Sequence, residues 1–359
     1  MQRFGFSVIL LCLAAWIGPT FSYDDGRPFL LRPDIFIIGA MKCGTTSLNR
    51  LFFEHPQVCS YGEKEKHFFD KSEYETDYFN HKDAYLEEFR ECKRNQLTID
   101  STPSYIQFAD IVAKRLNESY SKTDLLKKKF ILILREPIAR YYSEYQMRLR
   151  VCFKGLYKGG GATDDDETKS RVSRNCRGVM LHFEENASKG KRHHQFRNFS
   201  SWIHESRDKT EIVRGYYLQH IRDFLQVVPR RNLFIVDFQR LIMNTNATVF
   251  ALGSFYGIDP ILWLRKSGSY AGNTTHGITL PSPRQNKPDF NDGALDCESW
   301  RYLRDHYVKQ NTGLANFINR GSGERPAMEP FFQDWNYTTP KCSPTSKMSA
   351  ASVEKKGHH

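Results

Sequence analysis

The segment Gly39-Ala40-Met41-Lys42-Cys43-Gly44-Thr45-Thr46-Ser47 sets two glycines, a lysine and three hydroxyls between an apolar run and an amphipathic one. A strand-to-helix turn of this kind aims backbone N–H groups and the positive end of a helix dipole at one point, which is the chemistry of phosphate or sulfate binding. Gly44 lets the backbone approach the anion closely, and Thr45, Thr46 and Ser47 add donors. The glycine spacing matches a nucleoside-triphosphate loop, but Thr45 stands where that loop has its lysine, and Lys42 lies inside the turn. No ATPase signature follows. Arg135 ends the apolar run Lys129–Leu134, where an ATPase would often place a magnesium-binding aspartate. A guanidinium there suits a second phosphate, because its planar fork pairs with two oxygens at once.

Positioning these groups falls to short β-branched and aromatic runs that alternate with helical patterns, the grammar of βαβ units. Strands are predicted at Asp34–Gly39, Val58–Ser60, Leu97–Asp100, Lys129–Leu134 and Leu233–Phe238. Helices are predicted from Thr46 to His55, closed by Pro56, from Pro137 to about Arg150, and after Thr245 up to Gly257. The fold class expected is α/β, a P-loop-like three-layer sandwich whose central, mostly parallel sheet is flanked by helices. Lys154 to Cys176 reads as a glycine- and charge-rich insertion, a solvated loop by composition.

Three motifs in order, GAMKCGTTSL, Glu65-Lys66-His67-Phe68-Phe69-Asp70, and Arg135-Glu136-Pro137 with Ser143 eight residues beyond Arg135, resemble the carbohydrate sulfotransferases. The likeness is strongest to the heparan sulfate N- and O-sulfotransferase branch and its chondroitin relatives, and runs from about Asp34 to Trp335. It implies a donor, 3'-phosphoadenosine-5'-phosphosulfate (PAPS), and an anionic polysaccharide acceptor rather than nucleic acid. The resemblance assigns Lys42, Cys43, Gly44, Thr45, Thr46 and Ser47 to the 5'-phosphosulfate, with Lys42 beside the bridging oxygen. Arg135 and Ser143 inherit the 3'-phosphate. Glu65 takes the place of the general base, and His67 is a second base or an orienting donor. Phe68 and Phe69 are expected in the core, and the mechanism requires no metal.

Two departures leave the acceptor open between heparan, chondroitin or dermatan, and another glycan. Asp100-Ser101-Thr102-Pro103 has Ser101 where a lysine is expected in the heparan 3-O-sulfotransferases. The late PAPS-binding loop has only Arg284 and Lys287, in Pro283–Lys287, as stand-ins. Sulfation of protein tyrosine or small alcohols would use the same donor site, and a secreted heparin-binding protein could keep the fold without catalysis.

The whole chain agrees with a secretory setting. Arg3, an apolar run from Phe4 to about Gly18, then Pro19, Thr20 and Ser22 form a signal peptide at 1–22, and the same run suits a short membrane anchor. A single sulfotransferase domain at 23–342 and a structureless tail at 343–359 follow. The Golgi lumen is the expected compartment. Its oxidising chemistry fits seven cysteines beyond Cys12, enough for three disulfides and one free thiol, with Cys152–Cys176 and Cys297–Cys342 as plausible pairs. Six Asn-x-Ser/Thr sequons, at Asn117, Asn186, Asn198, Asn246, Asn273 and Asn336, are compatible with it. The net charge of +11 implies an anionic partner, for which Lys127–Lys129 and Lys189–His194 are candidate contacts.

Overall fold

Among the described residues eight strands form: β1 (Ile35–Gly39), β2 (Val58–Cys59), β3 (Leu97–Ser101), β4 (Lys129–Leu134), β5 (Met180–Asn186), β6 (Lys191–Phe196), β7 (Leu233–Asp237) and β8 (Ala351–Ser352). The computed structural model describes residues 33–59, 65–71, 78–93, 95–157, 176, 179–186, 191–205, 210–266, 295–321, 323–337, 342 and 351–352. Five strands pair in the order β2-β3-β1-β4-β7, every pair parallel. The residues of β1, Phe130–Leu134 of β4 and Leu233–Val236 of β7 are buried, which is why these runs are apolar without alternation.

The helices used below are α1 (Thr45–Phe53), α2 (Lys82–Glu87), α3 (Ala109–Ser119), α4 (Lys122–Leu125), α5 (Pro137–Tyr157), α6 (Phe199–Glu205), α7 (Thr210–Val213), α8 (Tyr217–Phe224), α9 (Phe238–Met243), α10 (Thr245–Tyr256), α11 (Ile261–Lys266) and α12 (Cys297–Asn311). α3 packs on α8, α10 on β7, and α12 on both α5 and α8. A second aromatic core forms where Tyr141 and Tyr145 of α5 meet Phe199 and Trp202 of α6 and Trp300 and Tyr307 of α12. α5 continues past the expected end near Arg150. Cys152 is fully buried and bonded to Cys176, so tertiary packing carries the helix beyond Gly155 despite that residue's weak propensity. α1 ends at Phe53, earlier than expected, because His55 precedes Pro56 and leaves the helix to bond the Asp259 carbonyl at 2.9 Å through Nε2.

Both proposed disulfides form, and Cys59–Cys92 is the third, leaving Cys43 as the free thiol. Within the tail beyond Cys342, Ala351 and Ser352 form β8 and pair antiparallel with Phe196 and Gln195 at the end of β6. Residues 1–32, most of the 154–176 insertion, and Arg284 and Lys287 lie outside the described residues. Among those described, no helix is long and apolar enough to cross a membrane.

Candidate active site

β1 lies between β3 and β4, so the turn that leaves it is flanked by whatever follows those two strands. In a parallel sheet this is the crevice at the carboxyl ends of the strands, where ligands bind. Lys42 and Gly44 both take left-handed backbone conformations, φ 68° and 92°, and Gly44 is the N-cap of α1. A Cβ on Gly44 would also lie 2.8 Å from the Phe238 ring, so glycine is demanded twice. The Cys43 N–H closes the turn on the Ala40 carbonyl at 3.1 Å. Its thiol points inward to the Tyr217 hydroxyl at 3.8 Å, and burial pushes its pKa up to about 11. Of the turn residues, Cys43 therefore contributes backbone shape, not a reactive sulfur. Thr45 and Ser47 are buried and Thr46 is exposed at the helix start.

On the β4 side, Arg135 is 8% exposed and donates from Nη1 to the Lys42 carbonyl at 3.2 Å, while its guanidinium lies 4.8 Å over the Phe238 ring. Among the described residues it forms no ion pair with a carboxylate. Arg140 and Arg230, more deeply buried, pair instead with Glu144 and Glu329. Burial holds the Arg135 pKa below its usual value, with Cys43, Tyr217 and Glu136 opposing the shift. A buried cation lacking an anion is costly. Tyr217 fixes the strand end by donating to the Arg135 carbonyl at 2.9 Å. Ser143 is buried on α5.

The β3 side holds the carboxylates and the imidazole. Asp100 is fully buried and accepts from the hydroxyls of Tyr85 and Tyr105, each at 2.8 Å, and of Thr102 at 2.7 Å. Burial raises its pKa, and the hydroxyl donors oppose that rise. Tyr105 also accepts the Phe69 N–H at 3.4 Å, and the Glu65 N–H donates to the Ser101 carbonyl at 3.0 Å. The 65–70 segment is thus tied to the end of β3, and Phe68 and Phe69 anchor it in the core at 4% and 1% exposure. Glu65 and His67 have φ of 67° and 55°. Lys42, Glu65 and His67 are the non-glycine residues with positive φ among those described, and all three are candidate site residues of the sequence motifs. Such strain costs about 1–2 kcal/mol per residue and gathers at functional sites.

His67 is set by groups to which the motifs alone assign no role. Its Nδ1 faces both carboxylate oxygens of buried Asp70 at 3.1 Å, and Ser104 donates its hydroxyl to Asp70. Nε2 then lies 3.9 Å from Glu65 Oε2. The hydrogen bond to Asp70 raises the His67 pKa, partly offset by burial, with the charges of Asp70, Glu65 and Asp100 adding to the rise. Asp70 closes the second motif, three residues from His67, and that spacing was the available signal. Lys66 turns away, pairing with Glu88 and lying 5.0 Å from the Phe89 ring centroid.

Asp70→Asn is expected to lower the His67 pKa by removing its main cause. Because the folded-state value is raised, protonated His67 stabilises the wild-type fold at pH below its unfolded value near 6.5, and the gain disappears as pH rises through the folded value. The variant loses that acid-side gain. NMR titration of the His67 imidazole checks it, and an unchanged midpoint rules out the Asp70–His67 coupling.

The parallel α/β sheet thus sets the Gly39–Ser47 turn after its central strand, with a buried guanidinium on one side and a carboxylate–imidazole pair on the other. The sulfotransferase domain family matches residues 32–266, and the chain belongs to it. It is 31% identical over 337 residues to the membrane-associated sulfotransferase kil1 of Dictyostelium discoideum, across 81% of this chain and 66% of that one. Heparan sulfate glucosamine 3-O-sulfotransferase 3B1 of Homo sapiens is 24% identical over 245 residues, across 68% of this chain and 51% of that one. The chain therefore spans about half to two-thirds of the length of these relatives. The crystal structure of a sulfotransferase from Alicyclobacillus acidocaldarius shares the fold, with a TM-score of 0.50 at 19% identity over 81% of this chain and 97% of that one.

Proposed function

We propose that this protein transfers the sulfuryl group of PAPS to a hydroxyl of a glycosaminoglycan in the secretory pathway. The observation that carries the reading is Arg135: a buried guanidinium with no carboxylate partner among the described residues, hydrogen-bonded to the carbonyl of the turn that opens α1. Two anion-binding groups facing one crevice suit a donor with phosphate at both ends. Three disulfides support an oxidising compartment. The acceptor class rests on the heparan sulfate relatives and on the basic balance of +11.

PAPS supplies an activated sulfuryl group and a bisphosphate leaving group. Lys42, Cys43 and Gly44 at the turn and Thr45, Thr46 and Ser47 in the first turn of α1 would hold its phosphosulfate, and Arg135 with Ser143 its 3'-phosphate. Lys42 and the helix dipole stabilise the negative charge that builds on the departing oxygen. Glu65 accepts the proton of the attacking hydroxyl as the oxygen–sulfur bond forms. His67, held by Asp70, presents Nε2 as a donor that orients the acceptor oxygen. Arg284 and Lys287 would add two further cations for the nucleotide.

Incubating the full chain with radiolabelled donor and separate pools of desulfated heparan, chondroitin, tyrosyl peptide and steroid tests the proposal. Label is expected in a glycan pool alone, and disaccharide analysis then gives the sugar and position. Label in the peptide or steroid overturns the acceptor class, and label in none overturns catalysis.

A further inference from the structure

The opposite end of the sheet holds a second basic site. A cleft of about 300 Å³ is lined by Lys129, Arg231 and Arg325, with Ser254, Glu324 and an apolar wall that includes Phe255 and Met328. Lys129 opens β4, and Arg231 lies in the turn just before β7, the strand that pairs with β4 through Phe130 and Leu233. Arg135 stands at the other end of β4, on the order of 20 Å away at about 3.3 Å per strand residue. This cleft is separate from the transfer site.

The neighbouring cations are already compensated. Lys127 pairs with Asp124 at 3.3 Å and Lys128 with Asp34 at 3.4 Å. Arg230 is locked to buried Glu329, and Arg325 lies 3.9 Å from the same carboxylate and 4.1 Å from the Phe331 ring centroid. Neither Lys129 nor Arg231 pairs with a carboxylate among the described residues. The Lys129 ammonium lies 4.9 Å from the Phe255 ring centroid, and its pKa is lowered by burial and then by the charge of Arg231. Among the described residues Glu324 is the one acid lining the cleft, and Ser254 also contributes to its wall.

We infer that this cleft binds a sulfate or carboxylate group of the polyanionic glycan, at a second point remote from sulfuryl transfer. Two cations set against an aromatic ring and an apolar wall match a sugar's charged substituent and its ring face. An anion between Lys129 and Arg231 relieves their mutual repulsion. Holding the polymer at two places raises the effective concentration of its next segment at the active site. The effect therefore grows with chain length. The inference rests on the acceptor class proposed above, and its test reads binding apart from turnover.

The test compares Lys129→Ala/Arg231→Ala with a charge-matched surface control, Lys114→Ala/Lys122→Ala, both in the full chain and both checked for unchanged thermal midpoint. Binding to a long heparin fraction and to a heparin tetrasaccharide is measured at fixed salt, alongside transfer kinetics on polymeric acceptor. The cleft variant is expected to bind the long chain on the order of tenfold more weakly, two charge contacts being lost, with KM for polymer raised to match and kcat unchanged. The tetrasaccharide and the control are expected to shift less than about threefold. Equal weakening in cleft and control variants overturns the inference while leaving transfer untouched. Cleft-specific weakening in a protein that transfers nothing upholds the binding site and defeats the proposed enzyme.

Discussion

Glu65→Gln lowers the rate of sulfuryl transfer by roughly 10²–10⁴-fold, the usual worth of a positioned general base, while donor binding stays within about twofold. Glutamine keeps the side chain's length and planarity but cannot take a proton at neutral pH. The Glu65 side chain is 43% exposed, so it opens to an incoming hydroxyl, yet its backbone is held by the bond to Ser101 and by the left-handed conformation. Single-turnover transfer separates the loss from any change in product release. His67→Gln supplies the contrast: an orienting imidazole costs less than the base, whereas an equal or larger loss moves the base to the Asp70–His67 pair. A Glu65→Gln enzyme that turns over at the wild-type rate sinks the assignment outright.

The elements that place this site were legible where one physical term dominates. Lys129–Leu134 has the same limits in sequence and structure because its five apolar residues, Phe130–Leu134, form a run buried on both faces. Gly44 was singled out as a turn glycine, and its φ of 92° and the Phe238 ring 2.8 Å from a Cβ there both call for glycine. The helix from Pro137 was misjudged at its far end, since the Cys152–Cys176 bond and the aromatic core that extend it are tertiary.

Lys42, Glu65 and His67 were reached through motif order alone. No propensity rule would place a lysine, a glutamate and a histidine at positive φ, and only surrounding contacts over-determine such backbone. Tyr217 and Asp100 were out of reach for a related reason. Their value lies in partners 82 residues away at Arg135 for the first, and in two tyrosines converging on one buried carboxylate for the second.

Arg135→Met reverses the usual relation between stability and binding, and is the sharpest test of the donor site. In the unliganded protein Arg135 is a buried charge with one carbonyl and one ring for company. Removing it relieves a desolvation penalty, so the variant's thermal midpoint is expected to equal or exceed wild type. Truncating a desolvated charge that pairs with phosphate costs about 2–5 kcal/mol in binding, which is a loss of roughly 30- to 4,000-fold in affinity at about 1.4 kcal/mol per decade. Titration calorimetry with adenosine 3',5'-bisphosphate measures it directly. Thermal scans give the same answer by linkage: at a ligand concentration 100 times the wild-type Kd, wild type gains about 2.7 kcal/mol and the variant almost none. Arg135→Lys keeps the charge but loses the fork, and should fall between the two. If Arg135→Met instead destabilises the empty protein while nucleotide affinity is unchanged, the guanidinium is a structural strut between the turn and Phe238, and the crevice has lost one of the two anion sites the donor needs.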